Sequence, residues 1–174
     1  MSAAIQDFIK SFSTSELARP SRFTVALNNV SYGGVASKDL ILRCENAEFP
    51  SITYATTEQK FGSNPIEKFP YQVEFNDVNL TFIVSENMKE KIFFDAWMDA
   101  VSPSNSYNFN YKTGTGGYST DVMITQYDLT DKITYSVTLK EAYPITVNQL
   151  DLDWSAEGYH KLAVVLAYTY WTKN

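Results

Sequence analysis

The stretch Ile133-Thr134-Tyr135-Ser136-Val137-Thr138-Leu139-Lys140 alternates apolar and polar side chains without interruption. Successive side chains of a β-strand point to opposite faces, so this period of two predicts a strand with one buried face and one polar face. We expect this strand to run on to Tyr143. A second strand-like run, from Lys161 to Trp171, is apolar at nearly every position. A strand that is apolar on both faces must be covered on both. The sequence therefore predicts a mainly β protein, with another subunit as one candidate for the second cover.

Shorter runs of the same kind predict further strands along the chain. The apolar phase of one run shifts at Asn76-Asp77, which indicates a turn or a bulge at that point. Asn28-Asn29 and Gly33-Gly34 carry residues typical of turns. We predict strands at residues 23–27, 40–42, 71–84 and 121–127.

One α-helix is predicted among these strands, over about residues 85–101. Ser85 is a good N-cap, and Glu86 favours the positive end of the helix dipole. The apolar stripe at helical spacing, which suits packing on a sheet, consists of Met88, Ile92, Ala96, Trp97, Ala100 and Val101.

Between two of the predicted strands, residues 51–70 show only a weak pattern, broken by Gly62-Ser63-Asn64-Pro65. We expect an extended hairpin that projects from the domain, because the segment offers few side chains for a core of its own. Such arms often contact neighbouring molecules.

The first 18 residues are predicted to form an N-terminal arm or a short helix. Four apolar residues recur there at helical spacing, namely Ile5, Phe8, Ile9 and Phe12. Two interpretations stay open, since an amphipathic helix at residues 3–12 suits both capping the chain's own core and docking on a neighbour. The whole chain, residues 1–174, is expected to be a single domain.

Charge and composition argue against several classes of protein. The formal net charge is −6, and no cluster of Lys and Arg offers a grip for phosphates. Cys44 is the only cysteine, so neither an intrachain disulfide nor a CxxC pair is available, which suits folding in a reducing compartment. The apolar run 162–167 is far shorter than the ~20 residues that span a bilayer. The first residues also lack the pattern of a signal peptide, so we expect a soluble, non-secreted protein with no membrane association.

The sequence offers no convincing catalytic or cofactor site. His160 is the only histidine, and a catalytic pair with Cys44 is less plausible than a buried structural thiol and a surface histidine. The glycine-rich stretch 112–117 has the wrong residue order and context for a phosphate-binding loop. We predict that the protein is not an enzyme and needs no cofactor.

One acidic segment faintly resembles a calcium loop, with oxygen-bearing side chains at Asp151, Asp153, Ser155 and Glu157. In a calcium loop a glycine directly follows the third ligand and a glutamate closes the loop at position 12. Here Gly158 comes too late and Leu162 occupies the closing position. We therefore predict no metal site.

Three stretches resemble the tail tube protein of contractile-tailed, T4-like bacteriophages, in matching order. They are Ala18-Arg19-Pro20 leading to Phe23-Thr24-Val25, Tyr143-Pro144 followed by Leu150-Asp151-Leu152-Asp153-Trp154, and the ending Val165-Leu166-Ala167-Tyr168-Thr169-Tyr170-Trp171. The predicted helix falls where that family has its helix. The chain departs from the family pattern at residues 30–39 and 105–118.

The resemblance implies a β-sandwich or barrel-like tail-tube fold with one flanking helix. It also implies hexameric rings that stack into a hollow tube, through which viral DNA is delivered when a sheath contracts. The implied partners are further copies of this chain, the tail sheath protein, the tape-measure protein, and baseplate and tail-terminator proteins. DNA would pass the lumen without specific binding, and the protein would assemble in the host cytoplasm and end in the virion tail.

We expect the subunit interface to include Arg19, Pro20, Phe61, Tyr143, Trp154, Tyr168, Tyr170 and Trp171. Two alternatives to the repeating tube subunit remain. One is a related baseplate tube initiator or tail-end component, and the other is the tube of a phage-like secretion system or bacteriocin.

Overall fold

The structure of the chain is a computed structural model that describes residues 5, 9–10, 17–28, 30–114, 116–155 and 157–174. Most of the helix predicted at residues 3–12 lies outside these residues. The described part contains eleven strands and one long α-helix. In chain order they are β1 (Phe23–Leu27), β2 (Ser31–Tyr32), β3 (Val35–Ala36), β4 (Cys44–Ala47), β5 (Ile52–Gln59), β6 (Glu67–Phe75), β7 (Val78–Ile83), α1 (Lys89–Val101), β8 (Thr120–Tyr127), β9 (Ile133–Val147), β10 (Lys161–Ala167) and β11 (Tyr170–Lys173).

Seven strands form one antiparallel sheet in the order β1-β8-β9-β10-β7-β4, with β11 paired to β9. The fifteen-residue strand β9 belongs to both halves of this sheet. It pairs with β8 as far as Ala142 and then with β10 from Tyr143 to Val147. β1 and β4 lie at the two ends of the order and are not paired to one another, so the barrel-like sheet stays open. The predicted mainly β fold with one flanking helix is confirmed.

The strand β9 changes halves at Glu141, whose φ of 55° lies in the left-handed region. That backbone is unfavourable for a residue with a Cβ and needs support from its surroundings. Thr169 donates a hydrogen bond to the Glu141 carboxylate (2.7 Å), and the Lys112 amino group lies 3.3 Å from the same oxygen. Both interactions hold the pKa of Glu141 below its ordinary value. Glu141 therefore joins the loop that carries Lys112 to Thr169, which lies just after the end of β10.

The helix α1 packs against β9 of the sheet and against the short hairpin of β2 and β3. Phe93, Phe94 and Trp97 on its inner face are fully buried. The Phe94 ring packs against Phe82 of β7 and against the rings of Phe93 and Trp97. The Trp97 indole N–H donates to the backbone carbonyl of Tyr118 at 2.7 Å. That bond satisfies the one polar atom of the largest buried side chain and fixes the loop that follows the helix.

The predicted start of the helix is wrong by four residues. The helix begins at Lys89, after Met88 with a left-handed φ of 53°. Ser85 instead donates its backbone N–H (2.7 Å) and its hydroxyl (2.8 Å) to the buried carboxylate of Glu90. Because Glu90 draws Ser85 into this contact, residues 85–88 form a turn that leads into the helix.

Two strand predictions also need correction. Residues 40–42 belong to short 3-10 turns, with Leu40 buried and Leu42 90% exposed, because only Leu40 reaches the core. The run 161–171 is two strands separated at Tyr168-Thr169. β10 lies between β9 and β7, so both of its edges are paired within the chain, and the free edge at this end belongs to β11.

The projecting hairpin is confirmed and is longer than predicted. β5 and β6 pair only with one another, from Ile52 opposite Phe75 to Gln59 opposite Glu67. The predicted break at Asn76-Asp77 separates β6 from β7. Gly33-Gly34 connects β2 to β3 with positive φ angles of 58° and 76°, as the turn chemistry predicts.

Candidate assembly surfaces

In the arm, which comprises residues 52–75, the half next to the sheet has one apolar and one polar face. Side chains that lie directly opposite in an antiparallel pair share a face. Ile52 opposite Phe75 and Tyr54 opposite Val73 make the apolar face, whereas the intervening pairs are Thr53 with Glu74 and Ala55 with Gln72. Ile52, Tyr54 and Val73 are 40%, 58% and 50% exposed. The apolar face is therefore largely uncovered in the single chain.

The base of the arm is anchored to the sheet, and its tip is free. The rings of Phe75 and Tyr168 lie 6.0 Å apart, and the Tyr168 hydroxyl donates to the Asn76 carbonyl at 2.9 Å. The tip, residues 60–66, exposes Phe61 and Ile66 by about 60% each. Lys60 is the only ionisable side chain in the tip.

A second apolar surface lies on the distal loop, which we define as residues 150–160, with residue 156 outside the described part. Trp154 is fully exposed, and Leu152 is 88% exposed. Asp153 accepts hydrogen bonds from the backbone N–H (2.9 Å) and the hydroxyl (2.8 Å) of Ser155, which lower the pKa of the carboxyl. This local turn orders the backbone on both sides of Trp154.

The distal loop is also acidic. Asp151, Asp153 and Glu157 line a shallow groove of about 210 Å³ together with Tyr159 and His160. Lys161 does not neutralise it, because its amino group binds Glu45 at 2.7 Å, an interaction that raises the pKa of the lysine.

The arm and the distal loop lie at opposite ends of the same half of the sheet. The arm enters β7 at Val78, which pairs with Leu166. β7 ends at Ile83 opposite Lys161, and the next residue, Val84, donates its N–H to the carbonyl of His160 at 3.0 Å. At ~3.4 Å per residue, β7 separates the two surfaces by roughly 20 Å. A chain with different apolar surfaces at its two ends can associate head to tail.

A third exposed surface, which the sequence analysis missed, is the aromatic segment at residues 107–111. Tyr107, Phe109 and Tyr111 are 81–90% exposed. Asn110 fixes the segment to the end of α1 by donating its backbone and side-chain N–H groups to the carbonyls of Val101 and Ala100. The run Tyr-Asn-Phe-Asn-Tyr was the available signal, because three aromatic side chains within five residues of a predicted loop indicate a candidate contact surface.

The structure does not gather the eight predicted interface residues into one patch. Phe61 and Trp154 are exposed at opposite ends, and Tyr170 is 45% exposed on β11. Arg19 and Pro20 are exposed together just before β1. The half-buried members are Tyr143, whose ring packs against Tyr118, Tyr168 at the arm base, and Trp171, whose buried indole N–H has no hydrogen-bond partner.

The described residues show no arrangement suited to catalysis or metal binding. No group of three or more His, Cys, Asp or Glu side chains in this part of the chain is placed to hold a metal ion. Burial raises the pKa of the Cys44 thiol to about 12, which keeps it protonated and unreactive. No helix in the described ranges is long and apolar enough to cross a membrane.

Comparison with known proteins gives a consistent family and fold. Residues 16–174 match the family model described as "Phage tail tube protein". No curated protein sequence matches the chain.

Among solved structures, a chain of the PVC extracellular contractile injection system in its extended sheath–tube complex superposes with a TM-score of 0.66, at 14% identity over 95% of this chain and 96% of that chain. A chain in the tube-terminating cap of the anti-feeding prophage gives 0.67, at 16% identity and 92% of each chain. A chain in the baseplate of the same particle gives 0.66, at 17% identity over 92% of this chain and 97% of that chain. These likenesses show a common fold.

Proposed function

Since the chain belongs to the phage tail tube protein family, we propose that it is the repeating subunit of a phage tail tube. Six copies form a ring, and the rings stack into a hollow tube that delivers viral DNA. The family match over residues 16–174 is the observation that carries this proposal. The chain is a structural protein and not an enzyme.

The open sheet supports ring formation between copies. Within the described residues, β1, β4 and β11 each have an unpaired edge. Exposed strand edges invite pairing with another chain, and a closed barrel removes them. Neighbouring subunits that join their sheets around a ring satisfy these edges. We place Arg19, Pro20, Tyr143, Tyr170 and Trp171 at or behind these lateral contacts.

The charge of the chain supports free passage of DNA. A formal charge of −6 per subunit is repeated around each ring. Phosphates in a channel of like charge are repelled weakly, so DNA passes without being held. The mature tube lies in the virion tail after assembly in the host cytoplasm.

The proposed partners follow from the same role. The tail sheath protein surrounds the tube, the tape-measure protein occupies it during assembly, and baseplate and terminator proteins bind its ends. Structurally similar chains come from a sheath–tube complex, a baseplate and a tube-terminating cap, which supports contacts of these kinds.

A second candidate is the tube of a phage-like injection system, or a tube initiator or tail-end component. The observation that favours it is the similarity to chains of an extracellular contractile injection system and of the anti-feeding prophage. Both candidates belong to the same family, and they differ in what the tube delivers.

Electron microscopy of the purified chain tests the proposal. We expect long hollow tubes with six-fold symmetry above a threshold concentration. Rings that never lengthen would instead indicate an initiator or end component, and a protein that stays monomeric at all concentrations would contradict a tube subunit. DNA ejection from particles built with the wild-type chain separates the phage tube from an injection-system tube.

A further inference from the structure

We propose that the tip of the arm docks on the distal loop of a copy in the next ring, with Trp154 as the central anchor. This inference rests on the proposed function and names the two surfaces that stack the rings. Its basis is the position of the two surfaces at opposite ends of one half of the sheet, bridged by β7.

The two surfaces match in chemistry. The tip offers Phe61 and Ile66 beside Lys60, and the distal loop offers Leu152 and Trp154 among its three acidic side chains. Burying apolar side chains on both sides supplies the attraction, and the opposite charges fix the orientation. Two acidic side chains of the arm lie next to the tip. Glu58 is paired with Lys68 at 3.3 Å, and Glu67 directly follows Ile66.

Trp154 has the features of an interface anchor. It is fully exposed, and the Asp153–Ser155 turn orders the backbone around it before any partner arrives. A Trp side chain has only two rotatable bonds, so on an ordered backbone it offers a large contact area at a low cost in conformational entropy. Trp is enriched among residues whose loss weakens interfaces most.

The size of the contact explains how a soluble subunit becomes a tube. Each aromatic side chain buries about 150–250 Å², so one tip on one loop buries on the order of 600 Å², well under the ~1,200 Å² of the smallest stable interfaces. One contact is therefore too weak to join two free subunits. Six contacts made at once between two rings act as a multivalent link. Stacking then requires the ring to form first.

Variants of the full-length chain test the contact. Trp154→Ala should fold as the wild type does, because the side chain is exposed, and should give rings but no tubes, with the critical concentration raised about tenfold or more. Trp154→Phe should still form tubes. Lys60→Glu should weaken stacking, and adding Glu157→Lys should restore it, whereas the control Lys38→Glu, at an exposed lysine away from both surfaces, should leave stacking unchanged.

A crosslink tests the same pairing without relying on loss of assembly. In a Cys44→Ala background, Phe61→Cys combined with Leu152→Cys should give a disulfide-linked ladder in tubes under oxidising conditions, and none in rings. Wild-type tube formation by Trp154→Ala, or the absence of the ladder, would overturn the contact while leaving the proposed function intact. A wild-type chain that forms neither rings nor tubes would overturn both.

Discussion

Glu90 should contribute more to the stability of the subunit than any other charged side chain in the described part. It is 1% exposed at the start of α1, where it accepts two hydrogen bonds from Ser85 and lies 3.3 Å from the Arg43 guanidinium. Burial alone would raise the pKa of Glu90, but the bonds from Ser85 and the charge of Arg43 outweigh it and hold the pKa below its ordinary value. The carboxylate thus connects the helix start to the turn before β4.

The change Glu90→Gln keeps the shape of the side chain and removes its charge. Hydrogen bonds to a charged group contribute about 1.5–3 kcal/mol and neutral ones about 0.5–1.5 kcal/mol, so weakening the two Ser85 bonds costs about 2 kcal/mol. The glutamine side chain also has an NH₂ group in place of one oxygen. This donor would face another donor, on either Ser85 or Arg43, and could not form a hydrogen bond with it. Arg43 is 46% exposed, so water compensates part of that loss. We expect a destabilisation of about 2–3 kcal/mol, or a fall in Tm of roughly 5–10 °C for a chain of this size.

Urea unfolding at a concentration below the assembly threshold measures this effect, and Glu86→Gln is the matched control. Glu86 is exposed, so its change should stay within about 0.5 kcal/mol. Because the folded pKa of Glu90 is depressed, its contribution is fully present above the ordinary value of 4.5 and is lost as the pH falls through the folded pKa. The difference between wild type and Glu90→Gln should be constant from pH 7 to about pH 5 and shrink below about pH 4. A Glu90→Gln protein within about 0.5 kcal/mol of wild type at pH 7 would refute the reasoning.

Four further outcomes are expected. Gly33→Ala should destabilise the subunit more than Gly34→Ala in thermal unfolding, because both residues have positive φ but a Cβ at Gly33 would lie 2.9 Å from Ile92; equal losses would contradict that clash. Cys44 in the native protein should react with iodoacetamide at pH 8 roughly a hundredfold more slowly than in the unfolded chain, since burial raises its pKa to about 12, and equal rates would show an accessible thiolate. Amides of the arm should gain hydrogen-exchange protection when tubes form, whereas equal protection in monomer and tube would show that the arm needs no neighbour. Duplex DNA should bind intact tubes poorly in fluorescence anisotropy, because the net charge of −6 is repeated around the ring, and salt-sensitive micromolar binding would show otherwise.

The sequence predicted an element correctly where its buried side chains recur at a regular spacing, which is every second residue in a strand and every third or fourth residue in a helix. The alternation in β1, β7 and β8 identified these strands and their buried faces. The apolar stripe of α1 identified the helix, but its buried face is formed by Phe93, Phe94 and Trp97, whereas Ile92 of the predicted stripe is 45% exposed. Local patterns did not reveal the start of α1, which depends on the buried carboxylate of Glu90. They also failed at residues 40–42, where only Leu40 reaches the core.

The prediction for β9 failed at Tyr143-Pro144 for a reason of tertiary structure. The strand was predicted to end at Tyr143, and the next residue, Pro144, has no N–H to donate to a ladder. In the fold, β8 ends its pairing at Ala142, and from Tyr143 onward β9 has β10 on one side and a free edge on the other. A proline is tolerated at an edge, and the sequence gives no sign of where a neighbouring strand ends.

For the candidate surfaces, the structure tests only the exposure of the predicted residues, and sequence reasoning missed the aromatic segment at residues 107–111. Phe61 and Trp154 were predicted as interface residues, and both are exposed at the ends of the sheet. Tyr143, Tyr168 and Trp171 were chosen from the same kind of pattern, yet they pack largely within the chain. Residue type alone does not distinguish a buried aromatic side chain from an exposed one, because that depends on the tertiary structure.

The passage of β9 from one half of the sheet to the other also determines how the subunit responds to mechanical force. In two separate packed sheets, a pull on one sheet is resisted by side chains that slide past each other. Here the same backbone runs through both halves, so tension that β10 passes to β9 reaches the opposite half along covalent bonds. Glu141, held by Lys112 and Thr169, acts as a stiffened elbow in that path. A tube made of such subunits should twist and compress as a continuous shell, with little shear inside each subunit.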